Sequence, residues 1–181
     1  MVNTRGKNDK KTNAHISKTR RQRGYNWEDT LVKRINASDG WSAMRLGSPS
    51  IGLPDVMAIS TKYDSVYTIE AKSGTVNLLP VPADQIEKCK KIINVFDKYT
   101  NRKIVLAFKF LSKKRIGKSK YEWRPMREYY KIWKNDQTAY ECVCTYDGRI
   151  YLRKNKKRVD ITLEDCNVPF ETRDVMTNLN M

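Results

Sequence analysis

The chain has 181 residues, of which 36 are lysine or arginine and 20 are aspartate or glutamate, so its formal net charge is +16. A positive field of this size favours a nucleic acid or an anionic membrane surface as partner. No run of about twenty apolar residues is present to span a bilayer, and no apolar stretch follows the basic N-terminus as it would in a secretory signal. Nucleic acid is therefore the better partner, and a cytoplasmic, nucleoid-associated protein is expected.

The N-terminal segment, residues 1–22, is basic and almost free of large apolar side chains, which predicts a disordered arm. Its role is open between a solubilising tail and a phosphate-contacting arm. A helix is expected from Asn26, a favourable N-cap, to about Ala37. Glu28 lies in its first turn, either reaching into a cleft or complementing the helix dipole as an ordinary N-terminal acid. The apolar stripe on the same side of this helix is Trp27, Leu31, Val32 and Ile35.

Three strands are predicted next, over residues 41–46, 55–60 and 66–72, with a loop over 47–52 between the first two. Asp55 stands at the start of the second strand. Side chains alternate along a strand, so Glu70 and Lys72 of the third strand point to the same side, about 7 Å apart. Val66 and Thr68 share that face, and Tyr67, Ile69 and Ala71 lie on the other.

The second half of the chain begins with a polar loop around Pro80 and Pro82, followed by a predicted helix over 83–98. A buried strand over 104–110, a basic loop over 112–120 and a short strand over 121–124 come next. A hairpin is then indicated over 140–153 around Asp147 and Gly148, with a further strand over 159–163. The pattern predicts an α/β core with a mixed sheet flanked by helices over 23–134, and a small C-terminal β-rich extension and tail over 135–181.

The cysteines do not indicate a disulfide framework or a zinc site. They are scattered through a chain of ordinary domain size, and Cys142 and Cys144 form a Cys-x-Cys pair without a nearby histidine. Four reduced thiols are expected, with at least Cys89 and Cys142 facing the core.

The acidic residues suggest a metal-dependent phosphodiesterase. If the strands over 55–60 and 66–72 are antiparallel neighbours, Asp55, Glu70 and Lys72 meet at one end of the sheet, where Glu28 can join them. Carboxylates hold a hard divalent cation, and a lysine beside them can hold or help deprotonate the attacking water. The predicted catalytic residues are therefore Glu28, Asp55, Glu70 and Lys72, with the three acids as the metal ligands.

These motifs resemble the PD-(D/E)xK nuclease superfamily and, more narrowly, archaeal Holliday junction resolvases of the Hjc type. The resemblance covers about residues 23–130. It rests on the segment 23–28 with its early glutamate, the arginine and serines of 45–50, Pro54-Asp55, and Glu70-Ala71-Lys72. Segments 105–110 and 123–124 resemble the late strands of that family.

The resemblance implies a restriction-endonuclease-like fold and a structure-selective endonuclease that resolves four-way DNA junctions as a homodimer with Mg²⁺, Mn²⁺ being an alternative. Glu28, Asp55 and Glu70 would bind the metal, and Lys72 would position water or stabilise charge on the phosphate. Gln85 would support the site. DNA contacts are expected from Arg23, Arg45, Ser48 or Ser50, and Lys109.

Two other functions stay open at this point. One is a restriction- or repair-type nuclease acting on other DNA, and the other is a non-catalytic, basic nucleic-acid-binding protein. The lysines and arginines of 113–118 either hold flanking phosphates or form a solvated loop. An aromatic-rich patch is expected in the core or in a dimer interface rather than in base stacking; it comprises Trp123, Tyr129, Tyr130, Ile132 and Trp133.

Overall fold

Two helices and a five-stranded sheet form the centre of the computed structural model. The structure describes residues 5–47, 52–117, 120–134, 140–155 and 157–172. In the first helix it describes the side chains of Thr19 and of the residues from Arg21 onward. The helices are α1 (Arg5–Asn36) and α2 (Ala83–Asn94). The strands are β1 (Ser42–Arg45), β2 (Val56–Ser60), β3 (Ser65–Gly74), β4 (Leu78–Val81), β5 (Asn101–Phe110), β6 (Lys113–Arg115), β7 (Tyr121–Trp123), β8 (Arg127–Trp133), β9 (Glu141–Thr145), β10 (Ile150–Lys154) and β11 (Lys157–Ile161).

The central sheet has the strand order β1-β2-β3-β5-β8. Strand β3 is antiparallel to β2 and parallel to β5, and the other two neighbouring pairs are antiparallel. Since β2 and β3 are antiparallel with Val56 opposite Ile69, the start of β2 lies beside the later half of β3. The predicted α/β class with a mixed sheet flanked by helices is confirmed, and so is the predicted pairing that brings Asp55 next to Glu70.

The two helices cover opposite faces of this sheet, which follows from the alternation along β3. Helix α1 packs on the face that carries Tyr67, Ile69 and Ala71. Helix α2 packs on the face that carries Val66, and the Thr68 hydroxyl there donates to the Cys89 carbonyl at 3.4 Å. The apolar residues that α1 buries are Trp27, Leu31 and Ile35, and those that α2 buries are Ile86, Cys89 and Ile93.

A second, fully antiparallel sheet has the order β11-β10-β9-β4. The strands predicted as a C-terminal appendage therefore pair with β4, which precedes α2 in the chain. Their buried side chains Cys142, Cys144 and Leu152 belong to the same apolar cluster as α2. Strand β4 was predicted as a loop because of Pro80; a proline is tolerated here because β4 is an edge strand, where a missing N–H breaks no ladder.

The N-terminal segment differs from its prediction, because α1 is helical from Arg5 through Asn36. Lysine, arginine and glutamine are good helix formers, and lengthening an existing helix avoids the cost of a new nucleus. Asn26 consequently lies inside the helix rather than at its N-cap. Its carbonyl accepts from the Thr30 hydroxyl at 2.6 Å, and its side-chain oxygen accepts from Gln22 at 2.9 Å.

Strand β8 was not predicted, and α2 ends at Asn94, before the expected boundary. Cys89, Cys142, Cys144 and Cys166 are all buried free thiols. None of the helices within the described residues is sufficiently long and apolar to cross a membrane.

A buried ion cluster joins α1 to β5 and β8. The Glu128 side chain is 1% exposed, and its oxygens accept from Arg34 at 2.6 and 3.3 Å and from the Tyr130 hydroxyl at 2.9 Å. The Lys109 ammonium lies 3.3 Å from the same carboxylate. Burial alone would raise the pKa of Glu128, but the Arg34 and Tyr130 hydrogen bonds outweigh it and hold that pKa below its ordinary value.

We expect Glu128→Gln to destabilise the fold by about 3 kcal/mol at neutral pH, because it leaves the charges of Arg34 and Lys109 without their buried counter-ion. The pKa of Glu128 is depressed, so the stabilisation is present above the unfolded pKa of about 4.5 and is lost as the pH falls through the lower folded value. Urea unfolding should show the wild-type advantage shrinking between about pH 5 and pH 3. Glu164→Gln, at an exposed glutamate, is the control. If the difference in unfolding free energy between wild type and Glu128→Gln did not change with pH, the proposed role of the Glu128 charge would be contradicted.

Candidate active site

Asp55 is fixed beside β3 by a backbone hydrogen bond. The residue directly precedes β2, and its Oδ2 accepts from the Ala71 N–H at 2.8 Å. Ala71 separates Glu70 from Lys72, and its own side chain points to the opposite face. The Asp55 carboxylate is therefore held at the position between the two residues predicted to act with it.

Glu70 and Lys72 form a close ion pair. The Lys72 Nζ lies 2.5 Å from the Glu70 Oε1, and the two side chains are 2% and 22% exposed. Burial raises the pKa of Glu70 to about 7, with the Asp55 carboxylate adding to the rise and the Lys72 ammonium opposing it. A divalent cation bound beside this carboxylate would favour its charged form and compete with the proton.

Glu28 approaches the same place from α1. Its Oε2 accepts from the Arg45 Nε at 3.0 Å, and Arg45 also contacts Asp29 at 3.1 Å and stacks over the Tyr25 ring at 4.7 Å. Burial raises the pKa of Glu28, and the negative charge of Asp55 raises it further against the opposing effect of Arg45. Glu28 is thus near enough to Asp55 for their charges to interact.

These acids line one cavity of about 70 Å³ at the end of the sheet, between the two helices. The lining residues are Tyr25, Glu28, Gly47, Leu53, Asp55, Glu70, Gln85 and Lys88. The Gln85 Oε1 is buried and has no hydrogen-bond donor among the described residues. An oxygen-lined cavity with an unsatisfied acceptor is suited to a hydrated hard cation rather than to a soft metal.

Each carboxylate nevertheless keeps its own protein partner in this structure: Ala71 for Asp55, Lys72 for Glu70 and Arg45 for Glu28. Across the described part of the chain, no three acidic, histidine or cysteine side chains are gathered closely enough to share one ion. The residue types and the cavity fit a divalent cation. The side chains of the acids have to turn from these partners toward the cavity to bind it.

The predicted DNA contacts fall in three groups. Arg45 contacts Glu28, which lines the cavity, and the Arg23 carbonyl accepts from the Ser73 hydroxyl at 3.2 Å, one residue after Lys72. Lys109 lies 4.7 Å from the Trp27 ring centroid, in the Glu128 ion cluster and not at the cavity. Ser48 and Ser50 lie outside the described residues.

Sequence reasoning missed Lys88, which lines the cavity from α2 together with Gln85. The two residues are three apart, so they share a helix face, and this spacing could have been recognised from the helix predicted over 83–98. Trp27 also serves the site indirectly, because its indole N–H donates to the Ala107 carbonyl at 3.2 Å and fixes the turn of α1 that carries Glu28.

Three acids and a lysine near the end of a mixed sheet are the residue types that a divalent-metal-dependent nuclease requires. Comparison with known proteins then narrows the class, because the family model described as archaeal Holliday junction resolvase (Hjc) matches residues 19–143, more than half of the chain. The chain belongs to the archaeal Holliday junction resolvase family, which consists of nucleases that cleave DNA junctions. This confirms the resemblance drawn from the sequence motifs, and the activity is endonucleolytic.

Among solved structures, Hjc from Archaeoglobus fulgidus, titled a Holliday junction resolvase from an archaeal hyperthermophile, is 19% identical to the chain. The match covers 62% of this chain and 80% of that one, with a TM-score of 0.38. A search of curated proteins gave no match. The family assignment therefore rests on the sequence match over residues 19–143.

Proposed function

We propose that this chain resolves four-way DNA junctions by Mg²⁺-dependent hydrolysis, with Glu28, Asp55, Glu70 and Lys72 as its catalytic residues. The observation that supports this is that Glu28, Asp55 and Glu70 line one cavity, beside the Lys72–Glu70 ion pair. Three carboxylates repel a phosphodiester on their own. A divalent cation held by the three carboxylates would turn that repulsion into attraction for the phosphodiester, and holding this cation is the proposed role of the carboxylates.

Asp55 and Glu70 would hold the ion directly, and Glu28 directly or through water. Every donor in this set is an oxygen, which favours Mg²⁺, with Mn²⁺ as the substitute of similar ligand preference. When bound, the ion polarises the phosphate, lowers the pKa of its water and offsets charge on the leaving oxygen.

Lys72 acts on the reacting groups while held by Glu70. An ammonium has three N–H donors, and only one is needed for the Glu70 Oε1. The remaining donors are available to orient the attacking water and to stabilise charge on a phosphate oxygen. The side chain is 22% exposed, so it reaches solvent where the DNA backbone would lie.

Backbone phosphates next to the cleaved bond would contact Arg23, Arg45 and Lys88, together with Ser48 or Ser50. Arg45 is 32% exposed while it holds Glu28 and Asp29, so part of its guanidinium reaches the solvent, where a phosphate would lie. Lys109 acts differently in this proposal. Its ammonium neutralises the buried Glu128 carboxylate and thereby supports the α1 turn that carries Glu28.

A homodimer fits the task, because a four-way junction offers two symmetry-related phosphodiesters and each copy of the chain supplies one site. A closed two-fold assembly would place the two sites at a fixed separation. Paired cuts in opposed strands then follow from one binding event.

A panel of four-way, flap and linear DNAs of shared arm sequence tests the proposed function. With Mg²⁺ we expect paired cuts near the branch point of the four-way DNA, and no cutting when EDTA removes the metal. Binding should weaken steeply as salt rises, since a chain of charge +16 binds DNA largely by releasing counterions. Equal cutting of the linear DNA would indicate the restriction- or repair-type function instead, and metal-independent cutting would refute the proposed mechanism.

A further inference from the structure

The β6–β7 hairpin presents the most exposed tryptophan among the described residues. Trp123 is 73% exposed and Tyr121 is 47% exposed. By contrast, Trp27 and Trp133 are 2% and 4% exposed and belong to the core. Large aromatic side chains are costly to leave in water, so their exposure on a hairpin suggests a binding surface.

The register of the hairpin divides it into two chemically different faces. Lys113 lies opposite Trp123, and Arg115 lies opposite Tyr121, so these four side chains share one face, called here the cation–aromatic face. The Lys113 ammonium is 5.0 Å from the Trp123 ring centroid. The other face carries only Lys114 and Glu122, which neutralise each other at 3.6 Å.

The hairpin is tied to the segment that follows β3. The Arg115 N–H donates to the Thr75 carbonyl at 2.8 Å. Arg124, directly after the hairpin, donates to the Val76 carbonyl at 2.9 Å and to the Asn77 side chain at 2.7 Å. Thr75 follows Lys72 by three residues, which is about 10 Å along a strand.

We infer that the cation–aromatic face stacks on bases exposed at the branch point of the DNA, while Lys113 and Arg115 contact the adjoining phosphates. This inference rests on the proposed function and adds a determinant of substrate choice to it. A continuous duplex keeps its base faces covered by neighbouring pairs, whereas a branch interrupts the stack. Aromatic rings recognise any base face, and cations beside them recognise the backbone, so this combination suits a DNA structure rather than a DNA sequence.

A second copy of the chain is a poorer occupant of this face. A two-fold interface places the same surface against itself, so the side chains of Lys113 and Arg115 would meet their own copies. Like charges brought together in an interface cost several kcal/mol unless acids separate them. The hairpin's one acid, Glu122, lies on the opposite face, which leaves DNA as the partner with matching charge.

The test uses the full chain in EDTA, so that DNA is bound and not cut, with a labelled four-way junction and a linear duplex of the same arm sequence. We expect Trp123→Ala to raise the junction Kd by about 5- to 150-fold, the range that base stacking supplies, and the duplex Kd by less than about twofold. Trp123→Phe keeps a stacking ring and should stay within about threefold of wild type. Junction binding should also quench the tryptophan fluorescence of the wild type, and this quenching should be much smaller in the Trp123→Phe variant.

Tyr63→Ala is the matched control, because Tyr63 has the same 47% exposure as Tyr121 but lies at the opposite end of β3 from Lys72. The Tyr63→Ala variant should bind the junction and the duplex with the wild-type Kd values. Unchanged junction binding by Trp123→Ala in a wild type that cuts junctions would overturn this inference alone. If Trp123→Ala had a different molecular mass from wild type on ultracentrifugation, the cation–aromatic face would instead be assigned to contacts between copies of the chain. If the wild type did not bind junctions, the proposed function would be refuted together with this inference.

Discussion

Asp55→Asn should lower the rate of junction cleavage by about a thousandfold or more, the size of losing one strong electrostatic contact in the transition state. The substitution removes a charged metal ligand and keeps an oxygen that can still accept the Ala71 N–H. It also removes negative charge beside Glu70 and Glu28, whose pKa values Asp55 raises, so both pKa values should fall toward the ordinary range. The variant should therefore fold as stably as the wild type.

Binding and cleavage should separate in this variant. Taking one carboxylate from the cavity reduces its repulsion of phosphate, so the junction Kd should be unchanged or lower while cutting is lost. Asp160→Asn is the control, because Asp160 is 73% exposed on β11 and pairs with Arg158 of the same strand. Single-turnover cleavage, binding in EDTA and thermal unfolding are to be measured on the same preparations. Wild-type cutting by Asp55→Asn would remove Asp55 from the catalytic set.

Lys72→Met should slow cleavage by about 10²- to 10⁴-fold, the contribution of a positioned proton-transfer or charge-stabilising group. Methionine fills much of the same volume but has no donor for the water or the phosphate. The Lys72 ammonium lowers the pKa of Glu70, so its loss should raise that pKa above about 7. Divalent metals compete with this proton, and the apparent metal affinity at neutral pH should fall as well.

Lys72→Arg distinguishes the charge of Lys72 from its geometry. Arginine preserves the positive charge beside Glu70, so metal binding should stay near wild type, whereas its planar guanidinium cannot replace the ammonium at the water and cleavage should remain low. Lys134→Met, at an exposed lysine that pairs with Glu164, is the surface control. Cleavage that stays at the wild-type rate in Lys72→Met, with Mg²⁺ saturating, would exclude Lys72 from the chemistry.

The sequence predicted β3, which carries Glu70 and Lys72, better than the rest of the molecule because its signals are local. Alternation fixes Glu70 and Lys72 on one face of β3. The sequence placed Asp55 beside them on the condition that β2 and β3 are antiparallel neighbours, and the structure shows that pairing. The β4–β9 pairing could not be inferred in the same way. It joins Leu78 to Thr145, and contacts so far apart in the chain depend on the complete core.

The surface residues were harder to assign for a related reason. The positive charge of Lys109 is typical of a DNA contact. Strand β8, however, places Glu128 opposite Lys109, and the Lys109 charge is neutralised within the protein. Trp123 was grouped with Tyr130 and Trp133 in one aromatic patch. The structure places Tyr130 and Trp133 in the core and exposes Trp123 to solvent. Trp123 is exposed because the β6–β7 hairpin leaves the central sheet after Phe110.

Binding of Mn²⁺ to the DNA-free protein tests the central claim most directly, since it does not depend on the choice of DNA substrate. Electron paramagnetic resonance titration should show Mn²⁺ bound by the wild type at neutral pH, displaced by excess Mg²⁺, and bound at least about tenfold more weakly by Asp55→Asn. Asp160→Asn should titrate as the wild type does. Equal Mn²⁺ affinity in the wild type and Asp55→Asn would contradict a metal site built from Glu28, Asp55 and Glu70.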